Sequence, residues 1–319
     1  MRGSGEVSKP SMERLSVIVA TMNRWNELAR CLESISVQTV PPYEVVIVDD
    51  GESDPKIVRE MVPESILLQY HRKSPPGLSA SRNLGAKVAR GDLLLFLDDD
   101  VVLEPTYIEE ILRIFAGDPD RSIGGVSGVV VNRRPRPRWF KAWARFFFLE
   151  GDRPGQLFPW GFFSELGIPD RVVQVDWIPG GLSCFRKEVF EQFALSSMNQ
   201  EGRHGLSDIE FSWRIRRAYE LKLTPFARLA HYPPDRASGE ALERGRRQLL
   251  NHGIIFLRHG EPGPGNWARF LCASFGVLLG NLGASILAND PRERRRRICA
   301  AAGNAIGLAQ FLWSEGRAR

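Results

Sequence analysis

Cysteine is scarce in this sequence. Four stand among 319 residues, at Cys31, Cys184, Cys272 and Cys299. They are scattered without metal-like spacing, which argues against a cysteine zinc site and a disulfide scaffold and reads as reduced thiols in a reducing compartment. An apolar leader is missing as well. Met1 to Arg14 are polar, so a cleaved secretory signal is not expected. That stretch reads as an extension, disordered over residues 1–12, with Met12 a candidate start. Strong charge imbalance is also absent: the net charge is +5, and the apolar and charged fractions, 43% and 25%, are those of an ordinary globular protein. What the basic residues lack is an even spread. They crowd between Arg133 and Arg145, at Arg244–Arg247 and at Arg292–Arg297, and such clusters suit phosphates, acidic lipid or nucleic acid. The length allows a full α/β domain plus an appendage.

The most informative stretch runs from Gly91 to Asp100. Leu93 to Leu97 is an unbroken apolar run, the pattern of a strand buried on both faces of a parallel sheet. Asp98, Asp99 and Asp100 follow. Adjacent carboxylates repel unless a positive group sits among them. At the carboxyl end of a buried strand that group is commonly a hard cation with oxygen ligands, bound also to substrate phosphates. A solvated acidic turn before a helix at Pro105 satisfies the same residues, and the stretch alone does not choose between the two.

The order of elements adds to this. Leu15–Ala20 reads as a β-branched strand ending in Thr21-Met22-Asn23-Arg24, followed by a helix with Leu28, Leu32 and Ile35 on one face. Glu44–Val48 is a second strand, ending in Asp49-Asp50-Gly51, and Ile66–Leu68 a third. Leu78–Ala89 is a helix opening at Gly77, and Leu93–Leu97 is the fourth strand. Strands alternating with helices argue for a mostly parallel sheet, in which ligands bind beyond the carboxyl ends of the strands. Taken singly, Asp50 is a turn former before Gly51, and Arg82 is a surface charge on a helix.

Taken together, Val17–Arg24, Val46–Asp54, Gly77–Gly85 and Gly91–Pro105 resemble, in order and spacing, the inverting GT-A glycosyltransferases of family 2. The resemblance implies a Rossmann-like α/β fold, its mostly parallel sheet flanked by helices, with a sugar nucleotide (UDP-, GDP- or dTDP-linked) held in the first half. It implies donor contacts from Ala20, Thr21, Asn23, Arg24, Asp50, Arg82, Asp98 and Asp99, with Asp50 accepting the base N–H. It also implies that Asp100, in the family's DXD region, ligates Mg²⁺ or Mn²⁺.

Beyond Pro105, a helix with Ile108, Ile111, Leu112 and Phe115 precedes a glycine-rich strand, Ile123–Val131. Then Arg133, Arg134, Arg136, Arg138, Lys141 and Arg145 interleave with Trp139, Phe140, Trp143 and Phe146–Phe148. This reads first as a helix packing its aromatics on the core with arginines in water, and second as a membrane contact. Nucleic acid is not an expected partner. Asp176–Lys187 carries Trp177, Gly180 and Gly181. Paired glycines let backbone approach a ligand closely, and the resemblance puts these three residues at the donor-sugar and acceptor site; a β-bulge explains the glycines alone. Gly205–Arg217 reads as a helix that Ser207 or Asp208 caps. The family carries an acidic pair there, whose second member is the catalytic base. Ser207 departs from that pattern, Asp208 occupies the base position, and Glu210 fits a second acidic position of structural kind. Pro225–Ala230 is a strand ending at His231, which the resemblance places near the metal and diphosphate; otherwise it is a plain surface histidine.

Beyond Pro233-Pro234 the pattern turns helical, with Leu242, Leu249, Leu250, Ile254 and Leu257 marking an amphipathic helix. Phe270–Asn289 carries no charge and is just long enough to span a bilayer. Its glycines and the basic run Arg292–Arg297 fit better with a helical hairpin lying on the membrane, with Ile298–Trp313 as the second arm. The alternative is that both helices pack on the catalytic domain. The expected domains are thus 13–235 (13–105 for nucleotide, 106–235 for acceptor) and a helical, membrane-associating 236–319. The expected function is metal-dependent sugar transfer with inversion, from a nucleotide sugar to a hydroxyl of a glycan or lipid-linked acceptor. The expected place is the cytoplasmic face of a membrane, in polysaccharide biosynthesis. Two rivals stand beside it. One is a sugar-phosphate nucleotidyltransferase, against which Ala20-Thr21-Met22-Asn23 counts because it is no glycine-rich phosphate loop. The other is a non-catalytic nucleotide-sugar-binding membrane module, toward which Ser207 points.

Overall fold

The computed structural model describes residues 13–52, 55–133, 137–196, 206–234 and 239–318. The 1–12 extension, Ser53, Asp54, Arg134, Arg136, Gly205 and the 235/236 boundary lie outside the described residues. In chain order the elements begin with β1 (Leu15–Thr21), α1 (Trp25–Ser36), β2 (Glu44–Asp49), α2 (Pro55–Glu60), β3 (Leu67–Arg72), α3 (Leu78–Val88) and β4 (Leu93–Asp98). They continue through β5 (Val101–Leu103), α4 (Tyr107–Ala116), β6 (Ile123–Val130), α5 (Arg138–Phe146), β7 (Val173–Val175), β8 (Leu182–Arg186) and α6 (Lys187–Gln192). The last are α7 (Ser207–Ile215), β9 (Glu220–His231), α8 (Gly239–His259), α9 (Pro264–Leu287) and α10 (Pro291–Ala318).

The strands form one mixed sheet in the order β3-β2-β1-β4-β8-β6-β9-β5, with β7 on β9. The first four are parallel, and β8 turns the sheet by pairing antiparallel to β4. Leu93 to Leu97 of β4 are all buried, as an uninterrupted apolar run in a sheet covered on both sides requires. Strand alternation sorts them: Leu93, Leu95 and Leu97 join Val17, Val19 and α1 on one face, whereas Leu94 and Phe96 join Ile18, Val46 and Phe211 on the other.

Two strands run longer than the sequence pattern implies. β3 continues to Arg72 as a half-exposed edge. β9 starts at Glu220, five residues before the expected Pro225. Proline has no N–H to give a ladder; here the β6–β9 register shifts between Ser127 and Val129, so the strand passes Pro225 at an irregularity.

The C-terminal helices pack on one another and on the α/β body. α9 and α10 form the expected hairpin, its second arm running on to Ala318. Asn281 Nδ2 donates to Asn304 Oδ1 at 2.9 Å, and Asn304 Nδ2 donates to Gly245 O at 2.9 Å, crossing from α9 through α10 to α8. Any Cβ on Gly303 or Gly307 would overlap the α8 backbone at Leu242 and Arg246. Phe158, Phe162, Phe256, Phe270 and Phe311 form the shared core.

α5 only partly matches a core-packed helix. Ala144 and the following Phe147 are buried, but Trp139 and Phe146 are 58% and 72% exposed. At helical spacing the aromatics share one face of α5, and Trp139 and Phe146 lie at the edge of that face farthest from the buried Ala144. Among the described residues, α9 is the helix long and apolar enough to cross a membrane. Its outer residues Phe275, Ile286 and Leu287 are exposed.

Candidate active site

Three parallel strands end side by side. The register sets Thr21 against Asp49 and Ala20 against Asp98, so the turns after β1, β2 and β4 share one edge of the sheet. Thr21 Oγ1 donates to Asp99 Oδ2 at 2.8 Å. Arg24 bridges the next two carboxylates, Nη1 to Asp99 Oδ1 at 2.6 Å and Nη2 to Asp100 Oδ2 at 2.8 Å. The crowded acids thus share a guanidinium, which offsets their repulsion. Burial still pushes the Asp99 carboxyl up to about 6. Burial acts the same way on Asp100, but His231 and Arg24 outweigh it and hold that carboxyl down at about 2.

His231 reaches this cluster because β9 pairs antiparallel with β5, setting His231 opposite Val101. Its Nε2 stands 3.1 Å from Asp100 Oδ1. That is ion-pair distance without hydrogen-bond direction, for Asp100 Oδ1 is buried and accepts no hydrogen bond. Ligand-type atoms of Asp98, Asp100 and His231 lie within 4.8 Å of one another. An orphaned carboxylate oxygen beside a second carboxylate and an imidazole is a donor set suited to a divalent cation. The residues present therefore fit Mg²⁺ or Mn²⁺.

Asp98 connects this cluster to the next. Arg82 of α3, itself buried, donates Nη2 to Asp98 Oδ1 at 2.6 Å. A Cβ on Gly181 would overlap the Asp98 carboxylate, and one on Gly180 would stand 2.6 Å from Arg82 Nη1 and 3.5 Å from Asp208 Cβ. Close approach of three charged side chains, and no left-handed φ, is what requires this glycine pair.

Asp208 is the second residue of α7. The cap position falls on Leu206, at φ 66°, with no side-chain cap hydrogen bond. Capping by Ser207 or Asp208 is thereby corrected: Asp208 Oδ1 accepts from the adjoining Ile209 N–H, at 3.0 Å, inside the helix. Enclosure raises its carboxyl above the usual range, with the Arg82 charge the chief opposing influence. A carboxylate so raised is a stronger proton acceptor.

Not every expected residue joins the cluster. Asp50 Oδ1 lies 3.0 Å from Lys73 Nζ, and the carboxylate also accepts from Gly77 N and Ser81 Oγ, both at 2.8 Å, tying the loop before α3. Asn23, at φ 55°, accepts the Glu52 N–H at 3.1 Å and locks the β1 turn to the β2 turn. Trp177 donates Nε1 to Ser164 O at 3.0 Å and packs with Phe163, Ile209 and Trp213 beneath α7. Sequence reasoning missed Lys73 and Ser81, whose only signal is the turn-forming Ser74-Pro75-Pro76-Gly77. It also missed the partners of Glu210. Ser196 Oγ at 2.6 Å, Arg214 Nε at 2.9 Å and His259 Nε2 at 3.2 Å surround its buried carboxylate. Against the effect of burial, His259, Ser196 and Arg214 hold it down at about 2. The Glu210–Arg214 spacing is legible on a helix; His259, on another helix, is not.

A nucleotide-type α/β sheet, acids at its strand ends and a second acid beyond a glycine pair define a GT-A glycosyltransferase fold. The solved structure of a mannosyltransferase from Pyrobaculum calidifontis, in complex with GDP-Man and Mn²⁺, superposes on it with a TM-score of 0.60 over 96% of this chain and 89% of that one, at 18% identity. The model of glycosyl transferase family 2 matches residues 16–175, half of the sequence, and the chain belongs to that family. An uncharacterized glycosyltransferase of Bacillus subtilis (strain 168) is 36% identical over 100 residues, 31% of this chain and 37% of that protein. A glucosyl-dolichyl phosphate glucuronosyltransferase of Haloferax volcanii is 28% identical over 181 residues, 56% of this chain and 54% of that protein. The chain thus spans under two thirds of either relative.

Proposed function

We propose that this protein transfers a sugar, with inversion, from a nucleotide sugar to a hydroxyl of a lipid-phosphate-linked saccharide at a membrane surface. One observation carries the reading: the glycine pair Gly180-Gly181 sets Asp208 beside Arg82 and Asp98, so a base and a metal-type acidic cluster adjoin. The donor diphosphate belongs at Asp98, Asp100 and His231, beyond the carboxyl end of β4. A divalent ion bound there supplies charge neutralisation for the departing diphosphate. Arg24 and Arg82 hold the acids in place. Asp208 takes the proton from the acceptor hydroxyl as its oxygen attacks the anomeric carbon from the side opposite the nucleotide. Proton removal of this kind contributes on the order of 10²–10⁴ in rate.

The acceptor class is supported by two things. The Haloferax volcanii relative is named for a glucosyl-dolichyl phosphate, and α9 exposes apolar side chains next to a run of arginines at the start of α10. The nucleotidyltransferase rival is disfavoured because the β1 turn is filled by Asn23 and Arg24 side chains contacting the neighbouring turns. A thermal-shift screen of UDP-, GDP- and dTDP-sugars with and without Mn²⁺ tests the donor half. A ligand that binds only the folded chain raises its midpoint. One sugar nucleotide is expected to do so in the presence of the metal. A panel with no hit, or pyrophosphate release from a sugar phosphate and nucleoside triphosphate, contradicts the proposal.

A further inference from the structure

The helix that carries Asp208 is short. α7 has nine residues, and its cap, Leu206, supplies no side-chain hydrogen bond. A helix of that length owes its place to what packs on it. Asp208 Oδ1 accepts from Ile209 N–H inside α7, so the carboxylate turns with the helix. At 3.6 residues per turn, Glu210 projects roughly 200° round the axis from Asp208. The two acids therefore face opposite ways. Asp208 looks onto the glycine pair, where a Cβ on Gly180 would stand 3.5 Å from Asp208 Cβ. Glu210 is buried, and a buried charge is costly unless it is paired.

The partners of Glu210 come from three places. Arg214 Nε, at 2.9 Å, lies on α7 itself and turns with it. Ser196 Oγ, at 2.6 Å, reaches in from the segment behind α6. His259 comes from the C-terminal helices, as the last residue of α8. Its Nε2 stands 3.2 Å from Glu210 Oε1, at ion-pair distance though out of hydrogen-bond direction. Its ring tilts against Trp213, with centroids 6.3 Å apart. One turn earlier Ile255 packs with Ile209 and Trp213, so the end of α8 meets α7 through an apolar and a polar contact. Burial raises the Glu210 carboxyl, and His259 is foremost among the groups that nevertheless hold it at about 2. The end of α8 is itself pinned. Gly260 N–H donates to Phe256 O at 3.0 Å, a Cβ on Gly260 would stand 2.3 Å from Pro159 O, and Glu261 N–H donates to Pro159 O at 2.9 Å.

We propose that His259 is a positioning residue for the transfer reaction: by holding Glu210 it sets the rotation of α7, and so the direction of the Asp208 carboxylate. This role rests on the reading of Asp208 as the acceptor base, and it makes the C-terminal helices part of the catalytic apparatus. The lever is sensitive. A rotation of about 10° moves a group ~6 Å from a helix axis by about 1 Å, and a misplacement of about 1 Å costs on the order of 10²-fold in rate.

Three full-length variants test the role. His259→Ala removes the contact, His259→Gln keeps a side-chain N–H donor, and Asp208→Asn marks loss of the base. The measured reaction is release of nucleoside diphosphate from the UDP-, GDP- or dTDP-sugar that the thermal-shift screen selects, with Mn²⁺ present and water standing in for the acceptor hydroxyl. His259→Ala is expected to lower kcat about tenfold or more, with donor KM and Kd within about threefold of wild type. His259→Gln is expected to recover most of the loss. Hydrogen exchange of the amides of residues 207–215 reads the seating of α7 without turnover. It should be about tenfold faster in His259→Ala and near wild type in His259→Gln. Unchanged exchange or unchanged kcat in His259→Ala overturns the role, and the base reading still stands if Asp208→Asn is impaired. A loss in His259→Ala that follows weaker donor binding, or that His259→Gln does not recover, also overturns it. Equal, measurable release by wild type and Asp208→Asn refutes the base reading and the positioning role together. A wild type that binds no nucleotide refutes the donor reading. There, or where water does not serve as acceptor, exchange alone decides: unchanged protection in His259→Ala overturns His259 as the holder of α7, and faster exchange that His259→Gln restores upholds it.

Discussion

At the residue scale the site depends on a few side chains that cannot be exchanged cheaply. Asp100 Oδ1 is buried without a donor, a cost that a bound cation relieves. Asp100→Asn should therefore weaken Mn²⁺-dependent binding of the nucleoside diphosphate at least tenfold by calorimetry. Unchanged affinity would remove Asp100 from the site, and chelation should mimic the mutant in wild type. Gly181→Ala forces a Cβ into the Asp98 carboxylate. Overpacking of this kind costs about 1–3 kcal/mol, which denaturant melts should show, together with weaker donor binding; a melt matching wild type contradicts the tight packing. The acid residues here were legible because their types and order match a family pattern. Their partners were not. Nothing in the chain order says that Arg24 would bridge Asp99 and Asp100, or that Asp50 would be enclosed by Lys73 and Ser81, since each contact forms only when separate turns meet in space.

At the element scale the first half of the sheet was readable and the second half less so. β1, β2 and β4 are buried apolar runs with one meaning. β9 was cut short at Pro225 because a proline normally ends a ladder, and only the register shift in its partner lets it continue. Ser207 and Asp208 both have capping chemistry, which hides from the sequence that the cap of α7 falls on Leu206. α8 carries a further consequence. His252 is buried against Phe162 and donates Nδ1–H to Gly161 O, 2.8 Å away, and burial lowers its imidazole to about 4 from an ordinary 6.5. A histidine depressed on folding stays neutral in the native state while the unfolded chain protonates. Stability is then whole above pH 6.5 and falls as the pH drops toward 4, by about 3 kcal/mol at 1.36 kcal/mol per unit. Urea melts between pH 7.5 and 4 should show that loss in wild type and a shallower one in His252→Phe. Parallel curves for the two would mean His252 is not the group responsible.

At the scale of the whole molecule the chain is a nucleotide-type sheet joined to a helical hairpin whose outer face is apolar and whose base is basic. Each arginine near an anionic surface contributes about 1 kcal/mol, and exposed charges are screened beyond ~8 Å at physiological salt. Full-length protein should float with anionic liposomes at low salt and be released at high salt, as a spanning helix would not be. Failure to float at low salt would leave the hairpin as a purely structural appendage. The central claim is narrower than this. Asp208 removes the acceptor proton while the acidic cluster holds the donor, so the two functions should separate in one variant. Asp208→Asn keeps the size of the side chain and removes its charge, and because enclosure raises that carboxyl, the variant should also be no less stable than wild type. The decisive measurement is sugar transfer by Asp208→Asn from the donor that the thermal-shift screen selects, with the donor's Kd measured on the same sample. The donor Kd should stay within about threefold of wild type, under ~1 kcal/mol, while transfer falls by roughly 10²–10⁴. Transfer within about threefold of wild type, a barrier change under ~1 kcal/mol, would contradict the claim.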